Sequence, residues 1–455
     1  MARTPEQNNA IITGSIPRQL LLFFFPIWLG TMFQQLYNTV DTLIVGNFVG
    51  TQALAAVGAT SSFVQLLVGL FVGLCSGAGV IIAQSFGAGD HDEVNRQVHT
   101  ALALAIAGGA ALTVIGLLIS RPVLRLMQTP DEIVGMASEY LQIYFLGMIP
   151  QMIYNMGTNI LRAVGDSKRP LYFLIVASIV NIVLVAVMPL GVAGAAIATV
   201  ASQVVSAVLT VRCIHGSQGM PWHLQLKNIR IERSVLLAIC RIGLPGAAQS
   251  ALYSISNMTI QSAINGFGTV AVAAWSVYGK IDFLFWMTVS SFGIAVTTFA
   301  GQNFGARQYD RVCRGTMTCL AMTAGTTLCI SLALYPSAQL LFRLFSSDDA
   351  VVAQGVQMMH YLVPVYMTYI CIEIFSGALR GCGDVRVPTI ITVFAVCIMR
   401  IVWLAVALPF KHELSVVEFS YPLTWITATV LFAISYAKGG WMQRCIAAQN
   451  AKTQG

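Results

Sequence analysis

Leu20–Phe48 reads LLLFFFPIWLGTMFQQLYNTVDTLIVGNF, and its reading decides the class of the molecule. At about 1.5 Å of rise per helical residue it crosses a hydrocarbon layer ~30 Å thick with turns to spare. Its second half carries Gln34, Asn38 and Asp41 at i, i+4 and i+7, which is one face of a helix. A carboxylate at mid-membrane costs roughly 2.5–3.5 kcal/mol on insertion scales, so such a residue faces a bundle interior or water rather than lipid.

Outward from this stretch the same pattern recurs along the chain. Hydrophobic residues make up 56% of the 455 and charged residues 9%, against about 25% charged in soluble domains. Mean hydropathy is +0.75. Apolar runs between turn residues and charges fall at 20–48, 53–83, 97–119, 134–160, 170–190, 192–213, 235–262, 271–300, 312–335, 351–378, 387–409 and 415–437. Period-2 alternation of the barrel kind is absent, so each run predicts a helix. The expected class is an all-α integral membrane protein with twelve transmembrane helices.

The formal charge of +7 matters through its placement. Most of the 25 basic residues lie at the termini and in the connections between spans 2–3, 4–5, 6–7, 8–9 and 10–11. The positive-inside rule then predicts a multi-pass protein of the cell membrane with both termini cytoplasmic, and no nucleic-acid partner is needed to explain the charge. The ten cysteines are scattered, with no C-x-x-C pair, so neither a disulfide framework nor a zinc site is expected, nor any other cofactor. No G-x-x-x-x-G-K-[ST] loop occurs, which points away from ATP as the energy source and towards an ion gradient. Residues 1–19 lack the apolar core of a cleavable signal, so the first span is expected to direct insertion itself.

The chain repeats itself once. QSFGAGDHDEVNR at Gln84–Arg96 returns 218 positions later as QNFGARQYDRVCR at Gln302–Arg314. RAVGDSKRP at Arg162–Pro170 returns at the same offset as RGCGDVRVP at Arg380–Pro388, and VGTQALAA at Val49–Ala56 as FGTVAVAA at Phe267–Ala274. Three blocks sharing one offset signal a duplication. Each copy holds six spans, an even number, so the copies predict two pseudo-symmetric six-helix bundles, parallel repeats about an axis along the membrane normal, with a binding site in a central cleft between them. The expected lobes are residues 1–213 and 235–455, joined by a cytoplasmic linker with a short surface helix at 214–234. In the repeated turns, Gly87 and Gly305 are expected to end helices with φ > 0. Asp92 and Asp310 then sit at the positive ends of the next helices. Arg162 with Asp166, and Arg380 with Asp384, are expected to bridge neighbouring loops.

Charges inside the spans are few. Asp41, Asp282 and Glu373 are the acids most clearly inside spans, Glu139 standing near a helix start and reading as interfacial, and Lys280 and Arg400 are the buried bases; buried charges must be paired or neutralised. The simplest arrangement pairs Lys280 and Arg400 with Asp282 and Glu373. Asp41 is left over, since the first six spans hold no cation to neutralise it, and the match of Asn38 to Asn257, at an offset of 219, places Ile260 opposite it. A one-sided acid of this kind is a candidate ion-coupling group, able to take up and release a proton, with Asn38 and Asn181 beside it. Gln34, Tyr37, Gln249, Tyr253 and Asn257 are expected to line the same cleft with Lys280, Asp282, Glu373 and Arg400. Met and aromatic side chains would suit flat apolar cations as well as plain lipid contact.

These residues resemble the multidrug and toxic compound extrusion family over nearly the whole chain. The likeness rests on Pro26 with Asp41, on Q-x-F-G-A at Gln84 and Gln302, and on LRAVGD at Leu161–Asp166 with LRGCGD at Leu379–Asp384. Asn181 followed by GVAGAA at Gly191–Ala196, and Gly243-Leu-Pro245, add to it. The resemblance implies two six-helix lobes around a cleft, a monomer in lipid, and export of cationic amphiphilic small molecules in exchange for H⁺ or Na⁺ by alternating access. It carries the first-helix carboxylate onto Asp41 and the first-helix proline onto Pro26. Two departures leave the ion open: Val185 stands where many relatives have an acid, and the seventh span has none, although Glu373 matches an acid of the sodium-coupled branch. Flippases for lipid-linked saccharides share the architecture but would line their cavity with several Arg and Lys. An intramembrane-protease reading of Gly381–Asp384 and Tyr309-Asp310 fails because both lie in basic turns and their aspartates recur at Asp166 and Asp92. No enzyme activity is expected, and a receptor or purely structural membrane protein would not need a one-sided buried acid.

Overall fold

The computed structural model describes residues 10–44, 51–127, 129–187 and 191–454; within these, the side chains of residues 37, 41–44, 51, 53–55, 59, 62 and 451–454 are excepted. The chain runs α1 (Ala10–Thr13), α2 (Ile16–Ile44), α3 (Thr51–Gly87), α4 (His91–Leu126), α5 (Asp131–Leu146), α6 (Met148–Ala163), α7 (Lys168–Val187) and α8 (Gly191–His215). A 3₁₀ turn at Leu226–Asn228 leads to α9 (Arg233–Asn265), α10 (Thr269–Gly305), α11 (Tyr309–Phe345), α12 (Asp349–Leu362) and α13 (Tyr366–Gly381). Then come α14 (Arg386–Ile391), a π-helical stretch at Thr392–Ile398, α15 (Met399–Phe410), α16 (Leu414–Lys438) and α17 (Trp441–Gln454). No strand occurs among the described residues.

Eleven helical stretches among the described residues are long and apolar enough to span a membrane, and side chains such as Leu118, Val187 and Phe410 stand fully outward, as lipid-facing residues do. The twelfth expected span, 134–160, is two 16-residue helices, α5 and α6, that meet at Gly147. Pro150, in the first turn of α6, has no N–H to continue a ladder from α5. The second copy breaks at the corresponding place, where Pro364 sits in the 3₁₀ turn Val363–Val365 between α12 and α13.

The chain forms two compact units. Unit 1 is Met1–Ala10 with Phe25–Ala247, and unit 2 is Ile11–Phe24 with Ala248–Gly455. Helices α2 and α9 are therefore each divided, α2 after residue 24 and α9 after residue 247. Pro26 and Pro245 lie inside these helices close to the division, where each removes one i→i−4 bond and loosens the helix locally.

Within unit 1, α3 packs backbone to backbone on the start of α9: a Cβ on Gly77 would lie 2.6 Å from the Ile239 carbonyl oxygen and 2.7 Å from the Gly243 nitrogen. The segment 214–234 folds onto the α3–α4 turn. Asn95 donates to the Pro221 and His223 carbonyls at 3.3 and 3.0 Å, and the Gln225 N–H donates to His99 Nε2 at 3.0 Å. Arg96 donates to Glu232 at 2.7 Å. Hydrogen bonds from Arg96 and Arg230 hold the Glu232 carboxyl below the usual carboxylate range.

In unit 2 the segment 11–24 lies on the α10–α11 turn in the corresponding way. Arg311 donates to the Ile11 carbonyl at 3.0 Å and also to that of Gly14, and Phe24 stacks on Phe292 at 4.0 Å. The turns differ from expectation in two respects. Helices α3 and α10 do end at Gly87 and Gly305, but the left-handed residues are Gly89 (φ 75°) and Arg307 (φ 59°), because each chain continues through two more residues before reversing. The Arg162–Asp166 and Arg380–Asp384 bridges do not form. Asp166 points forward, accepting the Lys168 and Arg169 N–H groups at 3.1 Å and pairing with Arg169 at 3.1 Å. Asp384 pairs with Arg444 at 3.5 Å.

Candidate functional site

The richest polar cluster lies inside unit 2 and starts on α10. Tyr278, Asp282, Phe285 and Trp286 follow at i, i+4, i+7 and i+8 and so share a face. Helix α13 presents Tyr366, Tyr369 and Glu373, again one face, and α16 presents Glu418, Tyr421 and Trp425. Asp282 accepts a hydrogen bond from Tyr366 Oη at 2.5 Å and one from Trp286 Nε1 at 2.6 Å. The Tyr278 and Tyr366 hydroxyls are 3.1 Å apart, so the carboxylate ends a short chain of phenols. Around it Tyr366 stacks on Phe285 at 4.0 Å, and Trp286, Tyr369 and Trp425 meet edge to face.

The expected ion pairs are absent. No ion pair among the described residues includes Asp282, Lys280 or Arg400. Lys280, two residues from Asp282, is on nearly the opposite face of α10; it is exposed, with its ammonium 5.5 Å from the Phe345 ring centroid. Arg400 is buried just after the π-helical stretch, where it lies 4.5 Å over the Tyr421 ring and donates to Thr424 at 3.4 Å. A guanidinium is weakly hydrated and stacks well, and this aromatic face takes the place expected for an acid. Glu373 does pair with a base, but with Arg380 at 3.7 Å, one of the arginines expected to bridge a loop. The Glu373 carboxylate occupies the space that a side chain on Gly293 would fill.

Of the remaining candidates on unit 2, Tyr253 of α9 lies near Tyr369, Glu373 and Arg400. Gln249, one turn earlier, is half-buried with its Oε1 unbonded, and Asn257, one turn later, is exposed. Tyr253, Asp282, Glu373 and Arg400 thus come together in one cluster, while Lys280 stands apart from it.

In unit 1, Asn181 of α7 is fully buried and its Nδ2 lies 3.5 Å from Thr199 Oγ1 on α8. Val185, one turn on, is buried as well. Helix α2 continues without a break through 34, 38 and 41, so those three positions share a face, and Gln34 and Asn38 are exposed within the unit. The side chains of Tyr37 and Asp41 fall outside the described ones. A second polar network joins α5, α6 and α8: Tyr144 donates to Gln151 Oε1 at 3.2 Å and Gln203 to the same oxygen at 3.3 Å.

Sequence reading missed Tyr366, Tyr278, Trp286 and Glu418. The signal for Tyr278 and Trp286 was present, since both stand one turn from Asp282 on the same face of α10; Tyr366 belongs to α13 and reaches Asp282 only through helix packing. Glu418 lies only four positions into an expected span and reads as interfacial, yet it is 3% exposed, with its Oε1 unbonded.

A family model described as MatE matches residues 26–187 and again 245–406, beginning at Pro26 in one copy and at Pro245 in the other. The chain is similar to the probable multidrug resistance protein YoeA of Bacillus subtilis, 28% identical over 392 residues, 84% of this chain and 85% of that one. It is similar also to the probable multidrug resistance protein YpnP of the same organism, 29% identical over 395 residues, 85% and 87% of the two chains. Among solved structures, the outward-facing conformation of a multidrug resistance MATE family transporter of the MOP superfamily matches with a TM-score of 0.88 at 22% identity, covering 97% of this chain and 98% of that one.

Proposed function

The chain belongs to the multidrug and toxic compound extrusion family of membrane transporters, and from that membership we propose that it exports cationic amphiphilic compounds across the cell membrane in exchange for H⁺ or Na⁺ by alternating access. It works as a monomer in lipid with both termini cytoplasmic. The observation that carries the substrate class is Asp282: a carboxylate held by phenol and indole donors, with no basic partner among the described residues, inside an aromatic cluster. Such a group can neutralise a flat organic cation while the rings cover its apolar faces. Asp41, on the face of α2 shared with Gln34 and Asn38, is the coupling group, with Asn181 supporting it from α7. Its loading with the coupling ion releases the cargo-competent state in one direction, and loss of that ion resets it.

An ion gradient is sufficient to drive this exchange. One charge crossing 100 mV yields about 2.3 kcal/mol, nearly two decades of substrate gradient at ~1.36 kcal/mol per decade. The test is ethidium export in proteoliposomes, driven in separate runs by a pH gradient and by a sodium gradient. Asp41→Asn should abolish coupled export while leaving ethidium binding in place, and Asp282→Asn should weaken binding itself. Undiminished gradient-driven export in Asp41→Asn would end the coupling assignment. Unchanged ethidium binding in Asp282→Asn would end the assignment of the cage to cations.

A further inference from the structure

The two copies of the repeated turn carry opposite charge chemistry. In the first, Gly89, Asp90 and Glu93 precede Arg96; in the second the matched positions are Arg307, Gln308 and Arg311, preceding Arg314. Arg96 is answered by two carboxylates, Glu93 at 2.9 Å and Glu232 of the docked segment at 2.7 Å. The segment docked on the second turn, residues 11–24, contains no acid. No ion pair among the described residues includes Arg307, Arg311 or Arg314, and Arg311 keeps a buried Nε without a hydrogen-bond partner.

These three arginines line one open cavity of about 480 Å³ together with Ile16, Gln308, Tyr309 and Asp310. With one acid against three bases its wall carries a net formal charge near +2. Arg307 stands in a left-handed conformation that the first copy fills with Gly89. A side chain there costs about 1–2 kcal/mol, so the position is occupied by an arginine against its backbone preference. The cavity lies where the first copy has its Arg96–Glu232 contact, and it lacks the carboxylate that neutralises that contact.

We propose that this cavity is a binding site for a phosphate group, the phosphodiester of an anionic membrane lipid being its source. Guanidinium forks match phosphate oxygens in pairs. The cavity sits at the ends of two long apolar helices, α10 and α11, with Ile16 on its wall, so a headgroup reaches it while the acyl chains stay against the helices. The occupant supplies to the α10–α11 turn and segment 11–24 the negative charge that Glu232 supplies to the α3–α4 turn.

The test compares the full chain with the Arg307→Gly/Arg314→Gln double variant. Arg307→Gly installs the residue that the first copy uses at this backbone angle, so folding is preserved; unliganded melting checks this. Native mass spectrometry measures retention of phosphatidylglycerol and of phosphatidylcholine, and thermal shift measures the response to inorganic phosphate. The wild type should retain phosphatidylglycerol over phosphatidylcholine. The double variant should bind it about 30-fold more weakly, which is about 2 kcal/mol at ~1.4 kcal/mol per decade. A phosphate shift that is lost in the double variant, without lipid preference, keeps the phosphate site and replaces its source with a soluble one. Equal lipid retention and equal phosphate response in both proteins would overturn the proposal.

Discussion

Replacing Tyr366 by Phe tests whether Asp282 is held by phenol and indole rather than by a base. The substitution keeps the ring that stacks on Phe285 at 4.0 Å and removes only the hydroxyl that donates to Asp282 at 2.5 Å. A hydrogen bond to a charged group contributes about 1.5–3 kcal/mol, and a neutral one roughly 0.5–1.5. Tyr366→Phe should therefore destabilise the wild type by about 1.5–3 kcal/mol. In an Asp282→Asn background the same change should cost about 1 kcal/mol less, and that difference is the coupling energy of the pair. Lys280→Met discriminates the alternative: removing one partner of a buried ion pair costs roughly 3–5 kcal/mol, whereas an exposed lysine over the Phe345 ring should cost about 1 kcal/mol at most. The assay is reversible unfolding in mixed micelles of the four cycle members and the lysine variant. Zero coupling between Tyr366 and Asp282, or a loss above 3 kcal/mol from Lys280→Met, would refute the arrangement.

Gly293→Ala should destabilise by about 1–3 kcal/mol, because the new methyl collides with the Glu373 carboxylate across α10 and α13; Gly58→Ala, which meets nothing within 4 Å, should be neutral or stabilising in the same thermal assay. Glu418→Gln should raise the unfolding midpoint, since a buried carboxyl with an unbonded oxygen is replaced by a neutral amide; a lowered midpoint would mean that the carboxylate is satisfied. Docking of segment 214–234 should depend on pH through Glu232. Its folded value lies below the ordinary 4.5, so its contribution is present at neutral pH and fades as pH falls from that value downward. Exchange protection in the segment, taken relative to the intrinsic rate at each pH, should fall with acid in the wild type and be already low, without that extra pH dependence, in Glu232→Gln.

Much of the architecture is legible in the sequence because lipid imposes two simple rules. Apolar length gives the spans, and three blocks at one offset give the duplication. The broken span at 134–160 is harder to read: Gly147 and Pro150 are ordinary residues of a membrane helix until the partner helix shows that the ladder stops there. The pairing of the buried charges is not legible, for a physical reason. Counting cations and anions assumes that a buried charge needs an opposite charge, but donors of other kinds satisfy it. Asp282 is met by Tyr366 and Trp286, and Arg400 by Tyr421 and Thr424. Aromatic residues in a membrane helix carry no mark that separates a donor to a carboxylate from a ring in lipid, except their spacing from the acid on the same face.

The duplication explains why the polar chemistry is so unevenly spread. Several positions of the frame persist in both copies: the prolines Pro26 and Pro245, the helix-ending Gly87 and Gly305, and Arg162 and Arg380, while the left-handed Gly89 becomes Arg307. Positions facing the interior diverge. Asn155 in the first copy corresponds to Glu373 in the second, so Arg380 has an acid at 3.7 Å, whereas no ion pair among the described residues includes Arg162. A duplicated bundle needs one frame and tolerates two interiors, because helix packing is set by small residues and breaks while charges can be exchanged wherever an aromatic or amide neighbour satisfies them. If that is the governing rule, transplanting the interior should be possible without transplanting the frame. Asn155→Glu in unit 1 should fold, with the new acid drawn to Arg162 as Glu373 is to Arg380. Loss of folding in this variant, alongside tolerance of Glu373→Asn, would show that the second interior depends on a frame of its own.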